Sequence, residues 1–141
     1  MRRIILDTGP LVAYLCKADY HHAWAVEQFK RFQPPFWTCE PVLTEAAFLL
    51  GRFGGSQNAD CLLELLSGQA LRVDFVLADE APRILHLTQQ YRNVPMSLAD
   101  ACLVRMAELH PQGLVLTLDS DFNIYRRHGR EPIPLVSQSE P

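Results

Sequence analysis

Short apolar runs alternate along the chain with longer stretches in which apolar residues recur every three or four positions. The runs predict strands and the recurrences predict helices. Arg3 to Asp7 predicts a first strand, closed by turn chemistry at Thr8 and Gly9. Pro10 suits the first turn of a following helix, where a backbone N–H is not needed, and Leu11, Val12, Tyr14 and Leu15 carry that helix on. His21 to Phe32 predicts a second helix, striped by Ala25, Phe29 and Phe32 and stopped by Pro34 and Pro35.

Phe36 to Cys39 predicts the next strand. Pro41 to Phe53 predicts a helix with Val42, Ala46, Leu49 and Leu50 on one stripe, ended by Gly54 and Gly55. Ser56 is the expected cap of another helix running to Leu66, and Gly68 breaks the chain before a short strand, Leu71 to Val73. Leu77 to Tyr91 predicts a helix; Pro82 falls in or near its first turn, which leaves a start later than Leu77 open. Ser97 opens a helix from Leu98 to Leu109, and Leu114 to Leu118 predicts a strong apolar strand. The string DSDFNIYRRHG reads as a turn and short helix, and Ile133 to Val136 as a last strand. Strands separated by helices predict an α/β fold with a mostly parallel sheet, which presents reactive groups at the carboxyl ends of its strands.

Composition narrows the picture. A hydrophobic fraction of 48% in 141 residues supplies a core and excludes disorder throughout. Residues 1–136 are expected to form a single domain, and 137–141 a short tail prone to fraying. The net charge of −3 excludes a protein that coats nucleic acid by overwhelming positive charge, but not a nuclease whose acids hold a metal. Cys16, Cys39, Cys61 and Cys102 form no CxxC and no zinc-knuckle spacing; Cys61 and Cys102 sit in apolar helical patterns that predict buried thiols. There is no basic-apolar leader and no run of about 18 apolar residues, so a reducing cytoplasm without membrane contact is the expected setting.

The chemistry lies in the acids. Asp7 ends the first strand, Asp119 and Asp121 follow the strand VLTL, Asp100 opens a helix, and Glu45 lies early in the helix after FWTC. If these carboxylates meet, their repulsion raises some pKa values unless a divalent ion intervenes, and hard Mg²⁺ or Mn²⁺ suits oxygen donors. Each acid also has a conformational explanation. Asp7 can orient the next turn, Asp100 can complete an S-x-x-D cap with Ser97, Glu45 can be solvated, Asp119 can cap the following segment and Asp121 can favour its first turn.

The strings IILDTGPL, VLTEAAFLL, MSLADACLV and VLTLDSDF, in this order and spacing, resemble the PIN-domain nuclease family, and within it the small VapC-type toxins of bacterial toxin–antitoxin pairs. The resemblance implies a PIN-like three-layer α/β/α sandwich around a mostly parallel central sheet. It implies a Mg²⁺-dependent endoribonuclease, with Mn²⁺ as substitute, that leaves a 5′ phosphate and a 3′ hydroxyl. Asp7, Glu45, Asp100 and Asp119 correspond to the family's acidic set, with Asp121 as an additional acid. Thr8 and Thr117 match supporting polar positions. It further implies a homodimer and inhibition by a cognate antitoxin protein.

Around these acids, Arg52, Arg126, Arg127 and Arg130 are the candidates for RNA phosphates, with RRHGR expected to form a basic rim or else a solvated surface run. Tyr14, Trp24, Trp37 and Tyr125 are expected mainly to pack in the core, with stacking on bases the other use. Arg105 stands out within an otherwise apolar helix, and the adjacent His21 and His22 diverge too far to form a metal handle. The contrasting functional class is a noncatalytic PIN-like RNA-binding or scaffold protein.

Overall fold

The computed structural model describes residues 2–53 and 58–138. Five short strands form one parallel sheet: β1 (Ile4–Leu6), β2 (Phe36–Trp37), β3 (Leu71–Arg72), β4 (Leu114–Leu116) and, at the far edge, Leu135–Val136, which is β7 in chain order. Their spatial order is β3-β2-β1-β4-β7, with Ile5 opposite Trp37 on one side and Val115 on the other. β5 (Arg126–Arg127) and β6 (Glu131–Pro132) form a separate antiparallel hairpin. Six helices complete the described fold: α1 (Thr8–Leu15), α2 (His22–Phe32), α3 (Glu40–Phe53), α4 (Asn58–Ser67), α5 (Leu77–Gln90) and α6 (Leu98–Leu109).

This is a three-layer α/β/α sandwich with a parallel central sheet. Strand order explains where a site can form. From β1 the chain steps outward to β2 and β3, then returns to the other side of β1 for β4 and β7. Connections leaving β1 and β4 in opposite directions open a crevice at their carboxyl ends. Ile5, Leu6, Val115 and Leu116 are buried beneath it, as purely apolar strands covered on both faces must be. α6 is buried almost all round through Ala101, Cys102, Leu103, Val104, Met106 and Ala107, which fixes its first turn firmly beside the crevice. Among the described residues, no helix is long and apolar enough to cross a membrane.

Several expectations change in detail. α1 starts at Thr8 rather than after a turn, because Asp7 itself caps it by accepting from Thr8 N at 2.7 Å. α5 does begin at Leu77, with Pro82 inside it; neighbouring hydrogen bonds and the apolar contacts of Ile84 and Leu87 outweigh one missing N–H. RRHGR is not an extension of a helix: it turns at His128 (φ 51°) and Gly129 (φ 80°) to make the β5–β6 hairpin. Cys102 is buried, but Cys61 is exposed, since α4 turns the adjacent Leu62 inward instead. Ser56, Gly54 and Gly55 lie outside the described residues, as do 139–141. Gln138 meets His21 Nδ1 at 2.6 Å, so hydrogen bonding reaches past the last strand.

Candidate active site

Asp7 leaves β1 directly into the crevice and is only 6% exposed. Thr8 N donates to its Oδ1 at 2.7 Å, and the Thr117 hydroxyl, just beyond β4, donates to its Oδ2 at 2.7 Å. Thr117 Oγ1 in turn accepts from Asp119 N at 2.9 Å. One buried threonine thus joins the exits of the two central strands. Asp119 caps a single 3-10 turn, Ser120–Asn123, by accepting from Asp121 N at 2.9 Å. Thr8 also donates to Glu45 Oε2 of α3 at 3.2 Å.

Asp100 lies in the first turn of α6. Ser97 caps that helix by accepting from Asp100 N at 3.0 Å, while the Tyr125 phenol donates to Asp100 Oδ2 at 2.8 Å. Asp7, Glu45, Asp100 and Asp119 line one cleft of about 450 Å³ together with Thr8, Gly9, Leu49, Leu118 and Ser120. Asp121 is not part of that lining; its backbone amide orients Asp119. The capping roles of Asp7 and Asp119 are real and coexist with the cleft, because a carboxylate offers several acceptor sites.

The electrostatics are those of a site short of positive charge. Burial pushes the Asp7 carboxyl up to about 7 despite the bonds from Thr117 and Thr8, and repulsion from Asp100 and Asp119 adds to the rise. Burial also raises Asp100; the Tyr125 bond counters it, and Asp119 raises it further. Three carboxylates therefore act on one another across the cleft. Among the described residues, no three acidic, histidine or cysteine side chains gather tightly enough to make a ready-made metal cage. The donor set nevertheless fits Mg²⁺, which keeps several of its waters and takes only one or two protein carboxylates.

Asp7 gives a pH signature. Its folded pKa lies above that of an unfolded aspartate, so the unfolded chain loses this proton first as pH rises. Without metal, stability should fall between about pH 4 and pH 7, by on the order of 4 kcal/mol, and then level off. Calorimetry in chelator should show a lower Tm at pH 8 than at pH 5; a Tm that rises over that interval would contradict the buried Asp7.

The basic candidates divide. Arg126 Nη1 donates to the carbonyls of Asn123, Ile124 and Tyr125 at 2.8–3.2 Å, and Arg127 donates to Pro111 O at 3.0 Å and pairs with Glu131 at 3.6 Å. Both guanidinium groups brace the chain rather than standing free as a rim. Arg52, in the last turn of α3, and Arg130, at the hairpin tip, are exposed. Arg105 points to Glu80 and Glu108, which resolves its place in an apolar helix. The sequence does not announce the roles of Tyr125 and Glu108: apart from the contact of Glu108 with Arg105, their partners Asp100 and Arg83 lie 25 residues away. Beside the acidic cleft, and sharing Glu45 with it, runs an apolar groove of about 720 Å³ lined by Phe48, Phe75, Leu77 and Leu98, with Phe48 and Leu98 exposed.

The sequence matches the PIN domain family over residues 4–127. Among solved structures, the chain is similar to VapC20 of Mycobacterium tuberculosis, a toxin described as cleaving the sarcin–ricin loop. The TM-score is 0.78 with 22% identity, covering 86% of this chain and 93% of that one, a likeness of fold. No curated protein matches the chain in sequence.

Proposed function

Because the chain belongs to the PIN-domain family, we propose that it is a Mg²⁺-dependent endoribonuclease, with Mn²⁺ as substitute, acting as the toxin of a toxin–antitoxin pair. The observation that carries this reading is the buried Asp7 carboxylate, opposed by Asp100 and Asp119 in a cleft at the meeting of β1 and β4. A divalent cation held there supplies a water of lowered pKa and positive charge for the leaving oxygen of a phosphodiester. Asp7, Asp100 and Asp119 are the residues to hold it, with Glu45 fixed nearby by Thr8. Thr117 keeps Asp7 and Asp119 in register, and Asp121 keeps Asp119 turned by its amide. Arg130 and Arg52, which lies 6.0 Å over the Phe48 ring, are the exposed candidates for RNA phosphates, whereas Arg126 and Arg127 hold the loop that follows the acids.

The partners follow from the same reading: RNA in the acidic cleft, a second copy forming a homodimer, and an antitoxin segment. The apolar groove next to Glu45 supports the last, since an apolar helix with a basic residue would fill the groove and neutralise the cleft. The test is incubation of the purified chain with a diverse RNA pool in Mg²⁺, in Mn²⁺ and in chelator, with sequencing of both new ends. Divalent-dependent cuts leaving 5′ phosphates are expected. R52A/R130A should weaken RNA binding and flatten its salt dependence more than R126A/R127A, which should lower Tm instead. RNA binding without metal-dependent cleavage would replace the enzyme with a noncatalytic RNA-binding protein.

A further inference from the structure

Tyr125 is fully buried, yet it is a tyrosine where a phenylalanine would pack equally well. Its ring is gripped edge-on by Tyr91 at 5.1 Å and by Phe122 at 5.2 Å. Its next neighbour is pinned as well, since Arg126 N donates to the Tyr91 hydroxyl at 2.9 Å. A ring held on two sides leaves the phenol oxygen one place to be. There it donates to Asp100 Oδ2 at 2.8 Å, its one hydrogen bond among the described residues. A buried hydroxyl costs free energy unless bonded, so this hydroxyl is retained for that carboxylate.

Asp100 is pulled from two directions. Ser97, the cap of its own helix, accepts from Asp100 N at 3.0 Å and favours the charged carboxylate. Tyr125 reaches the same carboxylate from a different part of the chain. Without the phenol, only the local cap remains, and Asp100 is free to settle back on its helix end like any S-x-x-D acid. With it, the carboxylate is held beside Asp119 before any cation arrives. Groups that orient a ligand in this way usually weaken metal binding about 10–100-fold when removed.

We propose that Tyr125 is a positioning residue that sets Asp100 for divalent-cation binding by donating its phenol hydrogen to Oδ2. The inference rests on the reading of the cleft as a cation site. The test titrates the purified full chain with Mn²⁺ at pH 8, following free Mn²⁺ by electron paramagnetic resonance, for wild type, Tyr125→Phe and Tyr91→Phe. Y125F should bind Mn²⁺ on the order of 10-fold more weakly while its circular dichroism stays that of wild type. Y91F removes a phenol that braces the backbone only, and should keep wild-type Mn²⁺ affinity. Wild-type affinity in Y125F overturns the inference and leaves the cation site standing. Equal weakening in both variants also overturns it, because the loss would then come from a loosened loop. Failure of the wild type itself to bind Mn²⁺ removes the cation site and the role of Tyr125 together.

Discussion

D7N should melt higher than the wild type at pH 8 in chelator, while its RNA cleavage in Mg²⁺ falls on the order of 10³-fold. The opposite signs share one cause. The wild-type fold carries a buried carboxylate at a point where burial and the neighbouring acids favour the neutral form. An amide of the same shape removes that cost and still accepts from Thr8 N through its oxygen. Its NH₂ faces Thr117 Oγ1, which becomes an acceptor in place of the donor it is now. A gain of about 2 kcal/mol is expected, less than the full cost of the charge because the amide is itself polar and buried. The pH dependence of Tm between 5 and 8 should flatten with it. What the amide cannot do is balance a cation, so on the proposed mechanism the cation would lose its most buried anionic ligand. Calorimetry and a cleavage assay on the same preparation decide the matter. A D7N protein that melts lower would contradict the cost of the buried charge, and one that cuts within 10-fold of wild type would remove Asp7 from the chemistry.

Much of this arrangement was legible because its signals are local. Asp7 and Asp119 end apolar strands, and Asp100 follows Ser97 by three residues at a helix start. Parallel strands and helix caps write themselves into consecutive residues, so the parallel sheet, α6 and the local settings of Asp7, Asp100 and Asp119 are legible, whereas Glu45 and the meeting of the four acids rest on the family resemblance. The double use of Asp7 is harder to read: an acid that caps α1 and faces the cleft looks, in sequence, like a turn residue, and the sequence accordingly predicts a start of α1 later than Thr8. α5 starts at Leu77, as its spacing predicts, and the later start that Pro82 left open is set aside by tertiary contacts invisible in a propensity argument.

The hairpin was illegible because its strands are two residues long and its arginines look like a charged surface. Arg126 and Arg127 spend their guanidinium groups on backbone carbonyls, contacts that no spacing rule announces. Tyr125 and Glu108 are the same case. Each reaches a partner through the fold rather than along the chain, and each bears on the position of the loop that follows Asp119.

E108A should destabilise the protein by roughly 3–5 kcal/mol, the cost of breaking a buried ion pair from one side. The Glu108 side chain is wholly buried on α6 and accepts from Arg83 Nε at 2.9 Å and Nη2 at 2.7 Å, both from α5. It also accepts from His128 N of the hairpin at 2.6 Å and from Arg105 at 3.3 Å. Burial alone would push this carboxyl up, but the Arg83 and His128 bonds outweigh it and hold it down to about 2. Its stabilisation is therefore complete above about pH 4.5 and is lost as pH falls toward 2, opposite in sign to Asp7. Truncation leaves the Arg83 head and the His128 amide without their acceptor, and it unties α5, α6 and the hairpin at one stroke. E108Q, which keeps the shape and part of the bonding, should lose about 1–2 kcal/mol. Urea unfolding at pH 7 separates these values through the midpoint at constant m. Because the hairpin continues directly from Tyr125, E108A should also lower cleavage at temperatures where it remains folded, and E108Q much less. An E108A midpoint within 1 kcal/mol of the wild type would mean that the pair is solvated and that the hairpin is held by its bonds to Tyr91 and Pro111.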